Sequence, residues 1–249
     1  MVPQHFGSGN RPARETPMSA YERKDATYRT AKKAGLRSRA GIKLEDLDQR
    51  FRLLAPGNRV VDLGCWPGAW LQVAAQRVGP TGTVVGVDLV RTEPLARANV
   101  TTIVGDACDP EIQASVIAAA GGPIDVVLSD LSPKLTGIRA TDQAREEALV
   151  EVAIAFAHRV LTPHGRLLVK LFSDVEVAMT RKLRESFSRV TAWRPPSTRK
   201  GSSEIYVMAA SRRIAATAAS RLVADDRSSA ASAERGEPGP AARKTEESE

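Results

Sequence analysis

The chain predicts an α/β fold: a largely parallel sheet with helices on both faces. Three observations lead there. Val60-Val61-Asp62-Leu63, Thr83 to Leu89 and Ile124 to Ser129 are short apolar runs, as expected of strands buried on both sides of a parallel sheet. Segments of helical periodicity fall between most of the strands, as βαβ units require. The first strand also runs into a glycine turn, Gly64-Cys65-Trp66-Pro67-Gly68, before the next helix.

Each element has its own signal. From Ser38 to Leu54, the apolar residues Ile42, Leu44, Leu47, Phe51 and Leu54 recur every three or four positions. This predicts an amphipathic helix with Ser38 as N-cap and Pro56-Gly57 as its stop. Val60 to Leu63 is the first strand, followed by a helix over Trp70 to Val78. Thr83 to Leu89 and Val100 to Val104 are the next strands, and Pro110 to Ala120 is a helix. Ile124 to Ser129 is a strand that ends at Asp130. Asp142 to Leu161 is a long helix with Leu149, Val152, Ala153, Phe156 and Val160 as its apolar stripe. Pro163-His164-Gly165 predicts a turn, Arg166 to Phe172 a strand and Glu176 to Phe187 a helix. Val190 to Trp193 and Ile205 to Ala210 have no helical pattern between them, so they read as a hairpin-like antiparallel edge. Residues 1–20 and 213–249 have the composition of disordered segments. That leaves 21–212 as one domain, with 21–43 as a basic arm.

Composition narrows the function. Hydrophobic residues make up 42% of the 249 positions, enough for a core. No apolar stretch approaches the roughly 18 residues that span a bilayer, and the first residues lack the apolar segment of a secretory signal. A cytoplasmic protein with no membrane association is the expectation. Cys65 and Cys108 do not form a metal-ligand spacing, and His5, His158 and His164 are scattered, so free thiols and no metal are expected. The net charge is +7, and Arg11 to Lys43 alone holds ten Lys/Arg against three Asp/Glu. Such an arm predicts a polyanionic partner.

The strand ends suggest a ligand. Ligands of open α/β sheets sit at the carboxyl ends of strands. Gly64 and Gly68 loosen the turn after the first strand, Asp88 ends the second and Asp106 follows the third. Asp88 suits the hydroxyls of a ribose and Asp106 an adenine amino group. The glycine spacing is not that of a pyrophosphate-binding loop, so the expected ligand is an adenosine without pyrophosphate, which fits S-adenosylmethionine. Trp70 is either core or pocket wall.

Six segments carry a family resemblance: Lys24 to Tyr28, Arg37 to Leu44, Asp62 to Trp70, Leu128 to Pro133, Val169 to Phe172 and Ser202 to Tyr206. In this order, over about residues 21–212, they resemble the FtsJ/RlmE family. Its members are S-adenosylmethionine-dependent ribose 2′-O-methyltransferases of large-subunit ribosomal RNA. The resemblance implies a Rossmann-like methyltransferase fold with a seven-stranded, mostly parallel sheet and one antiparallel strand. It implies a catalytic tetrad at Lys43, Asp130, Lys170 and Glu204, of which Lys170, at the end of a buried strand, is the expected proton acceptor. It implies cofactor contacts at Gly68, Trp70, Asp88, Asp106 and Asp130, with Asp62 and Gly64 supporting the turn. The implied target is a uridine of 23S ribosomal RNA within the large subunit, and a monomer is expected. Departures are Cys65-Trp66 in place of a small pair, Ala69 in place of a glycine, and the loop Ser132 to Gly137.

A ribose hydroxyl is a weak acid and a sulfonium methyl a strong electrophile. Alignment can supply up to about 7–11 kcal/mol and general-base help about 10²–10⁴-fold. A lysine keeps its proton to about pH 10, so a lysine base at neutral pH has to be perturbed by about 4 kcal/mol. The rival role for Lys170 is an ammonium that steadies the developing alkoxide. Arg23, Lys24, Arg29, Lys32, Lys33, Arg37, Arg39 and Arg199 are the expected RNA contacts, with Arg194 and Lys200 bordering the cleft and Tyr28 either stacking or packing. Alternatives are a 2′-O-methyltransferase of tRNA or another RNA, and a ribosome-assembly factor that binds RNA without methyl transfer.

Overall fold

A computed structural model describes residues 26–199 and 201–213. The expectations for residues 1–20, Arg23, Lys24, Lys200 and the tail from 214 onward lie outside the described residues, as does the Tyr28 side chain. The elements in chain order are α1 (Ala26–Lys33), α2 (Ala40–Phe51), β1 (Arg59–Leu63), α3 (Ala69–Val78), β2 (Thr83–Asp88), β3 (Val100–Val104), α4 (Pro110–Ala120), β4 (Ile124–Ser129), α5 (Arg139–Val160), β5 (Leu161–Phe172), α6 (Glu176–Ser186), β6 (Phe187–Trp193) and β7 (Glu204–Arg212).

Seven strands form one sheet in the order β3-β2-β1-β4-β5-β7-β6. The pairs from β3 through β5 are parallel, and β7 runs antiparallel to both of its neighbours. Strand alternation divides the core in two. Val61, Leu63, Val85 and Val87 pack with α4, α5 and α6. Val60, Val84, Val126, Leu128 and Leu168 pack with α2 and α3. Asp62 follows the Val60 side of that alternation and so lies under α2 and α3. Among the described residues, no helix is long and apolar enough to cross a membrane.

The expected fold is observed, with local corrections. The α2 helix stops at Phe51, ahead of Pro56-Gly57. Arg52 turns left-handed (φ 51°), and the Asp48 carboxylate takes the Leu54 N–H at 2.9 Å. Ser38 sits one residue before the cap position, where its Oγ accepts the Ala40 N–H at 3.2 Å. Pro163-His164-Gly165 is a bulge within β5, because the β4 partners shift between Ile124–Leu161 and Val126–Arg166. The buried stripe of α5 runs through Glu146, Val150, Ala153 and Ala157. Of the expected stripe, Ala153, Phe156 and Val160 are buried, while Leu149 and Val152 are half-buried. The expected antiparallel hairpin of the last two strands forms one edge of the sheet. β7 threads between β5 and β6, and β6 is the outer strand.

Candidate active site

Sheet register brings the site together. Leu63 pairs with Ser129, and Ser129 with Val169, so Asp130 and Lys170 follow side by side on adjacent strand ends. Across the antiparallel pair, Lys170 faces Tyr206 and Phe172 faces Glu204. Lys43 comes from the first turns of α2, which covers this face.

The four expected residues form two contacts. The Lys43 ammonium meets Glu204 Oε2 at 2.5 Å. Lys170 Nζ donates to the Asp130 carbonyl at 3.0 Å and to Ser132 Oγ at 2.5 Å. It also lies 2.9 Å from Asp130 Oδ1, an ion pair by distance in which Oδ1 finds no aligned donor. Both lysines are buried (7% exposed each), which is rare for an ammonium without partners. Burial works against the Glu204 carboxylate, but the Lys43 hydrogen bond and the charges of Lys43, Lys170 and Arg39 outweigh it and hold the group below the usual range.

These pairs open on a cavity of about 420 Å³ at the carboxyl ends of β1, β2 and β3. Gly64, Trp66, Asp88 and Asp106 line one side, and Asp130, Lys170 and Glu204 the other. Gly64 has φ +85°, and a Cβ there would lie 3.1 Å from the Leu131 amide, so the β1 and β4 loops close only over glycine. Asp88 accepts the Trp66 N–H on Oδ2 and the Val90 N–H on Oδ1, each at 2.9 Å. These bonds fix its carboxylate at the rim and leave lone pairs for a ligand.

Carboxylates crowd this end of the sheet. Asp62 is fully buried, and neither of its oxygens has a hydrogen-bond partner. Burial first, then the charges of Asp130 and Asp88, push its pKa well above the usual value. Burial and Asp62 also raise the Cys65 thiol to about 12. Burial and Asp106 raise Cys108 to about 11. Both cysteines are free, and both stay protonated at neutral pH, which makes them poor nucleophiles. Among the described residues, no cluster of His, Cys, Asp or Glu is placed to hold a metal ion.

Several expected residues sit elsewhere. Trp70 does not line the cavity. It is 3% exposed, donates its indole N–H to the Ala40 carbonyl at 2.7 Å and packs against Tyr206. Gly68 caps α3 with φ +100°, and a Cβ there would meet the Arg37 guanidinium at 2.8 Å. Arg37 is correspondingly absorbed by the fold. Its guanidinium donates to the carbonyls of Pro67 (3.2 Å), Glu93 (2.5 Å) and Pro94 (2.7 Å), so it clamps the glycine turn and is not presented to a partner. Arg194 donates to the Ser202 carbonyl within its own loop. Arg29, Lys32 and Lys33 are exposed along α1. Arg39 and Arg199 line a second cavity of about 450 Å³, with Gly201, Ser202 and Glu204.

Trp66 and Tyr206 are among the residues that escaped the sequence reading. Trp66 is 56% exposed and forms a wall of the first cavity. Tyr206 is fully buried, with Lys43 Nζ 5.8 Å from its ring centroid. Burial, followed by Asp130 and Glu204, raises its phenol well above the usual value. The available signal was the register that makes Tyr206 the cross-strand partner of Lys170.

Residues 36–212 match the family of FtsJ-like methyltransferases. The chain belongs to that family. A relative named ribosomal RNA large subunit methyltransferase E, from Methanobrevibacter smithii, is 43% identical over 185 residues, covering 74% of this chain and 88% of the relative. One of the same name from Paramagnetospirillum magneticum is 44% identical over 191 residues, covering 74% and 78%. The solved structure of a ribosomal RNA methyltransferase from Plasmodium falciparum superposes with a TM-score of 0.63 at 24% identity, covering 71% of this chain and 98% of that one. Its likeness shows a shared fold.

Proposed function

We propose that this protein transfers a methyl group from S-adenosylmethionine to a ribose 2′-hydroxyl of large-subunit ribosomal RNA, as a monomer in the cytoplasm. The observation that carries the reading is the Lys170–Asp130 pair, which opens on the donor cavity with Lys43–Glu204 beside it. The relatives named ribosomal RNA large subunit methyltransferase E support the substrate class.

The cavity residues fit the donor. Asp88 and Asp106 offer acceptors to ribose hydroxyls and an adenine amino group. The acids Asp88, Asp106 and Asp130 in the lining favour a cationic ligand over a neutral one. When bound, S-adenosylmethionine supplies an electrophilic methyl group. Lys170 Nζ receives the hydroxyl proton, while Asp130 orients that lysine. Lys43 and Glu204 position the sugar.

A second reading of Lys170 has its own support. Its Nζ is surrounded by three oxygens, from the Asp130 carbonyl, Ser132 and Asp130 Oδ1, a setting that suits an ammonium. In that role it steadies negative charge on the ribose oxygen. Single-turnover methyl transfer by Lys170→Arg, followed against pH, separates the two. A base role predicts an inactive arginine variant, because arginine stays charged. An arginine variant with wild-type rate overturns the base role. Failure of S-adenosylhomocysteine to bind in calorimetry overturns the methyltransferase reading as a whole.

A further inference from the structure

We infer that the second cavity, between Arg39 at the start of α2 and the β6–β7 loop, is a phosphate subsite for the RNA backbone beside the target ribose. This rests on the proposed function and extends it to a built substrate contact. The loop and the strand ends that flank it are tied to α2 at three points. The Ser197 N–H donates to Asp46 Oδ2 at 3.2 Å, Trp193 packs edge-on against Phe51 at 6.1 Å, and Glu204 holds Lys43. A tight turn, Ser202 N–H to the Arg199 carbonyl at 3.0 Å, shapes the rest. The notch of about 450 Å³ is therefore framed by fixed elements, at the end of α2 where the tetrad lies.

Its lining is cationic. Arg39 and Arg199 enter it from sites 160 residues apart in the chain, and Ser202 adds a hydroxyl. The acid in the lining is Glu204, which is already ion-paired with Lys43. Gly201, at φ +82°, has nothing within 4 Å of where a Cβ would sit, so the notch is open on that side. Arginine forks suit phosphate oxygens, and two charge-assisted contacts hold one diester.

Position then selects the ligand. Glu204 lines both cavities. An anion in the notch is thus one side chain away from the donor site. In RNA, the carbon bearing the 2′-hydroxyl adjoins the carbon bearing a phosphodiester. A ribose presented to Lys170 brings a backbone phosphate along with it, within the width of one sugar. The notch supplies what that phosphate requires, and it holds the backbone without reading the base.

The test is binding of an unmethylated large-subunit ribosomal RNA transcript over a series of salt concentrations, for wild type, Arg39→Gln/Arg199→Gln and Arg39→Lys/Arg199→Lys. The glutamine pair is expected to bind about tenfold more weakly at low salt. Its log K against log salt should be shallower by about 0.7 for the lost single-strand phosphate. The lysine pair should recover the slope, and S-adenosylhomocysteine affinity should match wild type in both. A glutamine pair with wild-type affinity and slope overturns the subsite. So does one that loses donor binding along with RNA, since the arginines would then be structural. A wild-type protein that binds no RNA overturns the proposed function itself.

Discussion

The donor cavity and the notch beside it share one wall and carry opposite charge. On one side stand Asp88, Asp106 and Asp130, and on the other Arg39 and Arg199, with Glu204 common to both. Under the proposed function, two reactants of opposite charge are sorted to two sides of the same ion pair. A cationic donor is favoured where acids gather, and a polyanion where arginines meet. In the proposed function, the tetrad is the boundary at which a methyl group and a sugar oxygen are brought together. Specific changes on each side should therefore affect one reactant and spare the other.

The largest effect is expected at the boundary itself. Lys170→Ala should lower the single-turnover rate by about 10²–10⁴-fold, with RNA and S-adenosylhomocysteine affinity nearly unchanged. A loss of binding comparable to the loss of rate would show that Lys170 supports the fold instead. Next comes the acidic side. Asp88→Ala should weaken S-adenosylhomocysteine binding by about 10–100-fold, the range for hydrogen bonds to a charged group, and leave the salt dependence of RNA binding intact. A change in RNA slope would break the division between the two cavities.

Two residues apart in sequence, Arg37 and Arg39 offer a smaller and sharper contrast. Arg37→Gln should lower Tm and donor affinity, because it releases the clamp on the carbonyls of Pro67, Glu93 and Pro94. It should not flatten the RNA salt slope, whereas loss of Arg39 should.

The smallest effect is a pH dependence. Asp62 holds its proton to higher pH in the folded state than in the unfolded chain. Between those two pKa values the folded state binds more protons, so stability falls as pH rises through that window. Asp62→Asn removes this titration. Its Tm should fall less than wild type as pH rises above about 4, the unfolded value, and a curve parallel to wild type would contradict the assignment.

Much of this was legible in the sequence. Apolar runs located all seven strands, and strand-end logic picked out Asp88 and Asp106, both of which line the cavity. The family resemblance supplied Lys43, Asp130, Lys170 and Glu204, and the fold gathers them at one strand end. What escaped depends on three-dimensional register. Tyr206 joins Lys170 only because β7 inserts between β5 and β6. The Pro163-His164-Gly165 stretch has turn chemistry, yet strand pairing on both sides absorbs it as a bulge. Charge alone could not separate Arg37 from Arg39, because carbonyls from two distant loops claim one guanidinium. Trp70 fills the core while Trp66, four residues earlier, faces the cavity, a distinction set by where α3 begins.

The most direct test of the central claim is to incubate the protein with isotopically labelled S-adenosylmethionine and unmethylated large ribosomal subunits, then map the label in nuclease digests by mass spectrometry. The account predicts label on a ribose 2′-oxygen, absent with Lys170→Ala. Label on a base, or no label from a protein that binds both donor and RNA, would contradict it.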